Sequence, residues 1–175
     1  MMPYCKSAAA AVPAPFSVRR PILIAATLAL LAGCAELPAG IQADVKGLAA
    51  YRDQVYRSAS TAYREAPTEQ ARDERRLAYG RAAAAWNTVL HSTFINVVSG
   101  ADMAYGDGDR IRPALRTAED ETAELLRTAG SDENETSLPT VDRSVLRLYR
   151  SYGALDPSER DLLGRDLLEL RWPTE

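Results

Sequence analysis

From Ala82 to Ala101 the chain reads AAAAWNTVLHSTFINVVSGA, twenty residues without a charge. A stretch this long and this rich in alanine fits one element of regular structure, a helix. At helical spacing, Ala83, Trp86, Leu90, Phe94 and Val97 share one side and make an ordinary core stripe. The other side carries Asn87, Thr88, His91, Ser92, Ile95 and Ser99, which is polar in part but never ionised. Two asparagines, a histidine and several hydroxyls argue against a transmembrane span. An exposed helix face normally carries charges, as the other helices here do. This helix is therefore expected either to run through the centre of a bundle or to offer a neutral face to a partner. The central position is the expectation. Asn87, His91, Ser92, Ile95 and Ser99 form the candidate interaction face.

The flanking sequence is helical as well. Ile41, Val45, Leu48, Val55, Ala59 and Ala62 recur as a helical stripe that ends near Pro67, and Thr68 can cap the helix running on to about Ser99. Beyond the DMAYGDGD loop, Ile111, Leu115, Ala118, Thr122, Leu125 and Ala129 line one face of a third helix, which Gly130 ends. A fourth runs over 141–152, with Val145, Leu148, Tyr149 and Tyr152 turned inward, and Gly153 closes it. Asp156-Pro157-Ser158-Glu159 opens a fifth: Asp caps, Pro takes the first helical position and Glu completes a capping box. Leu162, Leu163, Leu167 and Leu170 supply its apolar side, and Pro173 stops it. No strand pattern and no internal repeat is visible. The fold class expected is all-α, a single four- to five-helix bundle over residues 41–172.

The N-terminal region has a different character. Residues 1–20 hold Lys6, Arg19 and Arg20 and no acid, and residues 21–33, PILIAATLALLAG, are uncharged and apolar. That core is too short to span a bilayer, which takes about 20 residues. A positive region, a short apolar core and small residues at its exit make a secretory signal. Leu31-Ala32-Gly33-Cys34, within residues 19–34, resembles the lipobox of bacterial lipoproteins. The resemblance implies that residues 1–33 are a cleaved signal peptide and that Cys34 is lipidated as the new N-terminus. Residues 34–40 would then be the lipidated cysteine and a short tether. It also implies an address in the cell envelope, with the membrane held through the lipid on Cys34. Ala35, rather than an acid, after the cysteine points to the outer membrane, periplasmic side. No family resemblance is carried by the remaining domain.

Losing Lys6, Arg19 and Arg20 would take the net charge from −3 to −6. An acidic domain without clustered basic residues excludes a nucleic-acid footprint and gives no electrostatic grip on anionic headgroups. Of the two cysteines, Cys5 would leave with the signal and Cys34 would be consumed by the lipid, so no disulfide is expected.

Motifs for catalysis are missing. His91 is the only histidine, so relays and metal sites that need a second one lack it. There is no nucleophile elbow, no HExxH and no phosphate-cradling glycine loop. Asp102, Asp107 and Asp109 lie among glycines, a composition that can hold Ca²⁺. The EF-hand template nevertheless fails, because a twelve-residue loop from Asp102 ends on Pro113 rather than Glu. The plain reading is a solvated turn, with Asp109 capping the third helix. Acids Glu119, Asp120, Glu121 and Glu124 read as a solvated face, and no spacing singles out a catalytic pair. Tyr56 and Tyr63 share a face of the first helix, while Tyr51 belongs to the Leu48 and Val55 side.

The function expected is non-enzymatic, with no catalytic residues, no metal site and no cofactor. The chain would be a lipid-anchored helical domain that binds or escorts another envelope protein. An enzyme or metal-dependent factor using the Asp loop, and a surface or exclusion lipoprotein, are the alternatives.

Overall fold

A computed structural model describes residues 36–100, 108–130 and 138–174. All of them fall in one compact unit, Ala35–Glu175. The lipobox, Cys34, Asp102 and Asp107 lie outside the described residues. The described residues form five helices: α1 (Ala39–Arg64), α2 (Glu69–Ser99), α3 (Ile111–Ala129), α4 (Leu138–Arg150) and α5 (Pro157–Glu169). A 3₁₀ turn, Ser151–Gly153, follows α4, and there is no strand among the described residues. The all-α bundle expected from the periodicity is the fold observed.

Local signals set most of the helix ends. Thr68 is extended, and its side chain accepts a hydrogen bond from the Ala71 amide at 3.1 Å, which fixes the start of α2. Gly100, at φ 53°, ends it. A side chain at that position would be strained by the backbone and would also collide with the Arg160 guanidinium. Asp156 and Glu159 complete the reciprocal capping box of α5, both bonds at 2.9 Å.

Three expected boundaries are corrected. Asp109 does not cap α3. Arg110 occupies the N-cap position in helical conformation without a side-chain capping bond, and the Asp109 carboxylate lies 3.6 Å from Arg112 instead. The fourth helix begins at Leu138, three residues before Val141, because Pro139 falls in its first turn, where a missing N–H costs nothing. It ends at Arg150, with Tyr152 in the 3₁₀ turn.

Long helices also end in orphan carbonyls, and here neighbouring helices satisfy them. Arg75 of α2 donates to Ala62 O at the end of α1. Buried Asn96 donates to Tyr149 O at the end of α4 at 2.6 Å, and Arg52 to Glu169 O at the end of α5 at 2.7 Å.

The helix α2 packs against each of the other four, most extensively α3, then α5. Of its expected core stripe, Ala83, Trp86, Leu90 and Val97 are buried and Phe94 is half-buried. At the centre is an aromatic cluster. Trp86 stacks on Trp172 with centroids 5.8 Å apart and planes 8° off parallel. Tyr51 meets Trp86 edge-on at 5.6 Å. Indole Nε1 of Trp86 donates to Thr122 Oγ1 at 2.8 Å. Trp172 belongs to the tail beyond α5, held there by a reciprocal pair with Asn87: Trp172 N to Oδ1 at 2.8 Å and Nδ2 to Trp172 O at 3.1 Å. Close approach of α5 to α2 depends on Gly164. A Cβ there would sit 2.8 Å from Val98 and 3.2 Å from Phe94.

One charged group is drawn into the interface of α1 and α4. Asp44 is 4% exposed, accepts from Ser144 Oγ at 2.8 Å and from Arg147 Nε at 2.8 Å, and pairs with the Arg147 guanidinium. Burial works to raise its pKa, but the hydrogen bonds from Arg147 and Ser144, with the charge of Arg147, outweigh it and hold the carboxyl below its ordinary value.

Candidate interaction surface on α2 and α5

The uncharged face of α2 divides in two. Asn87 is half-buried and spent on the Trp172 backbone, and Ser92 is half-buried. His91, Ile95 and Ser99 are exposed, with Ile95 at 44%. The helix is therefore central to the bundle and still carries an open strip. Five candidate residues were placed on one face by spacing; the structure keeps three of them at the surface and turns Asn87 and Ser92 toward the domain.

Sequence spacing did not reveal what flanks that strip. Val98 is 41% exposed and Leu168 of α5 is 46% exposed, both beside Phe94. Between α2 and α5 lies a hollow of about 340 Å³, floored by Phe94 and Gly164 and edged by Val98 and Leu168. A second of about 220 Å³ continues it past His91 and Phe94 to Leu168 and Arg171. Gly164 lies in the lining of the first hollow, where a Cβ would collide with Val98 and press on Phe94. Charge on the rim is mostly positive: Arg165 and Arg171 stand against one acid, Asp161. Arg165 Nε donates to Asp161 O at 3.3 Å, which turns it along its own helix. The arrangement is an apolar groove between two helices with basic residues along it.

Among the described residues, no group of three or more His, Cys, Asp or Glu is placed to hold a metal ion. Asp109 is exposed and engaged with Arg112. A carboxyl pair does form between α3 and α4, where Glu119 meets Asp142. Burial first, then the hydrogen bond and charge of Asp142, then the charge of Asp120, push the Glu119 pKa up to about 8, with Arg116 opposing. Asp142 Oδ1 is buried and accepts no hydrogen bond from any N–H or hydroxyl among the described residues. A proton kept on Glu119 supplies the missing donor. This pair sits beside buried Tyr51, and burial pushes the Tyr51 phenol far above its ordinary value.

No protein-family model matches the chain, and no curated protein or solved structure does so either. No helix among the described residues is long and apolar enough to cross a membrane.

Proposed function

We propose that this is a lipid-anchored envelope protein, held through Cys34, whose helical domain docks an amphipathic helix of another envelope protein in the groove between α2 and α5. The observation behind the docking is the pair of exposed apolar side chains Val98 and Leu168 at the rim of a hollow between two helices, with exposed Ile95 three residues before Val98 on α2. A groove of that shape receives a helix through apolar anchors three or four residues apart. Arg165 and Arg171, on a domain that is otherwise acidic, favour a partner helix whose apolar stripe is flanked by Asp or Glu. The anchor rests on the likeness of Leu31-Ala32-Gly33-Cys34 to the lipobox, and Ala35 supports delivery to the outer membrane. Binding, rather than catalysis, is the work this surface suits.

Each half of the reading has its own test. Cys34→Ser should abolish acyl labelling and either release the domain from membranes or leave the precursor uncleaved; labelling that persists would refute the anchor. Ile95→Asp and Leu168→Asp place charges on side chains already open to water, so each should change stability by no more than about 0.5 kcal/mol. Both should remove the protein adduct formed when envelopes are crosslinked. An adduct that survives both substitutions would move the docking site off this groove.

A further inference from the structure

A second opening lies on another part of the surface, between the C-terminal half of α1 and the N-terminal half of α2. Tyr56 and Tyr63 stand seven residues apart on α1, which is about 10 Å along the helix axis. Ala59 and Ser60 lie between them, and their small side chains leave a hollow of about 330 Å³. Arg75, Arg76 and Tyr79 of α2 make the opposite wall, and no carboxylate lines it. The two outer tyrosines cover little core, being 42% and 43% exposed.

The polar groups of this wall have capacity left over. Arg75 spends one nitrogen on Ala62 O, and that bond holds its guanidinium at the cleft. Arg76 donates to the Asp73 carboxylate at 3.4 Å, a long bond between two side chains largely open to water. Tyr79 meets Tyr56 edge-on at 5.8 Å, and its hydroxyl is shielded from solvent without a hydrogen-bond partner among the described residues. Burial, followed by the neighbouring Tyr56 and opposed by Arg52, pushes the Tyr79 phenol up to about 12. It remains a neutral donor at physiological pH. A wall that carries two cations and is lined by no acid selects for an anion. The volume lies at the small end of ligand sites. Exposed aromatic side chains favour a flat ring over a bare ion.

We propose that this cleft binds a small anionic ligand built on one six-membered ring, the ring held between Tyr56 and Tyr63 and its carboxylate or phosphate met by Arg76 and the remaining N–H groups of Arg75. The ring can be aromatic or a sugar, since both present a flat apolar face to tyrosine. The site is independent of the docking groove and stands or falls apart from it.

Tyr79 also provides the readout. It stacks on Trp172 at 6.3 Å, and Trp172 on Trp86, so both tryptophans of the chain are joined to the cleft through ring contacts. The full chain in detergent would be titrated with phenyl phosphate, glucuronate, inorganic phosphate and phenol, following amide NMR shifts and tryptophan emission. One ringed anion should saturate with a Kd of about 0.1 to 1 mM, whereas inorganic phosphate and phenol should each bind at least about tenfold more weakly. Phenyl phosphate as the tighter probe identifies an aromatic ligand; glucuronate as the tighter identifies a sugar acid. Arg76→Ala should weaken that probe by about tenfold and Tyr63→Ala by several-fold, with melting temperatures unchanged, because both side chains lie at the surface. Inorganic phosphate binding as well as the ringed anions would overturn the proposal. So would an Arg76→Ala protein that binds normally, or the absence of saturation by either ringed anion.

Discussion

Trp86→Ala is expected to cost about 3–5 kcal/mol of stability, the range for deleting a large aromatic from a packed core. For a domain of this size that lowers the melting temperature by roughly 10 to 20 °C. Trp86 is 1% exposed, and three separate contacts end with it. Its stack on Trp172 is what the chain's tail packs against, its edge contact with Tyr51 ties in α1, and its indole N–H satisfies Thr122 on α3. Those partners come from distant parts of the sequence, so the vacated space borders α1, α3 and the tail at once and cannot collapse cheaply. Leu77→Ala is the control, since Leu77 is 58% exposed and should stay within about 0.5 kcal/mol. A Trp86→Ala domain within about 1 kcal/mol of the parent would show that the aromatic cluster does not hold the helices together.

Raising the pH from 5 to 9 should destabilise the domain, and Glu119→Gln should remove most of that dependence. The folded-state pKa of Glu119 is raised above that of the unfolded chain, so the folded state keeps a proton the unfolded state has already lost. Its contribution is fully present below the unfolded value and disappears as pH rises through about 8. The proton matters because it bridges to Asp142 across the α3–α4 contact, where ionisation would leave two carboxylates facing each other near the buried Tyr51 ring. Asp166 shifts in the same direction, through burial and the neighbouring Glu169. Asp44 has the opposite sign: its pKa is lowered, so its contribution is present above the unfolded value and lost as pH falls through the folded one. Stability should therefore peak under mildly acidic conditions. At pH 8.5 Glu119→Gln should be the more stable protein by roughly 2 kcal/mol, a figure discounted from the full shift because the group is partly open to water. Parallel melting curves for parent and variant across this pH range would contradict the carboxyl pair.

What could be read from the sequence was mostly local. Periodicity placed Leu48, Trp86, Leu115, Val145 and Leu163 in the core, and all five are buried. Thr68 and the Asp156–Glu159 box set helix starts because capping involves residues only three apart. Asp44 is not among the residues that the sequence analysis singles out, although its spacing carries a signal. It falls four residues before Leu48 and seven before Tyr51, on the same stripe, where an unpaired acid could not be buried. Its partners Ser144 and Arg147 lie a hundred residues away in sequence, and no local pattern names them. Trp172 escaped for another reason. It follows the last helix, where period 3.6 no longer applies, yet a large aromatic beside Pro173 in a charged tail marks a segment that must dock somewhere. The uncharged helix was read as either central or partner-facing. It is central, and its exposed part becomes a groove only because α5 lies beside it with Gly164 and Leu168, a pairing set by tertiary packing.

Docking in that groove is tested most directly by placing a photo-activated phenylalanine analogue at Ile95, at Leu168 and, as a control on another helix face, at Arg57, which is exposed. The full chain would be irradiated in intact cells of its own host. One discrete protein adduct of the same mass is expected from Ile95 and Leu168, carrying a partner with an apolar, acid-flanked helix, and no such adduct from Arg57. An equal yield from Arg57, an adduct of twice the chain's own mass, attachment to lipid alone, or no adduct at either groove position would contradict it.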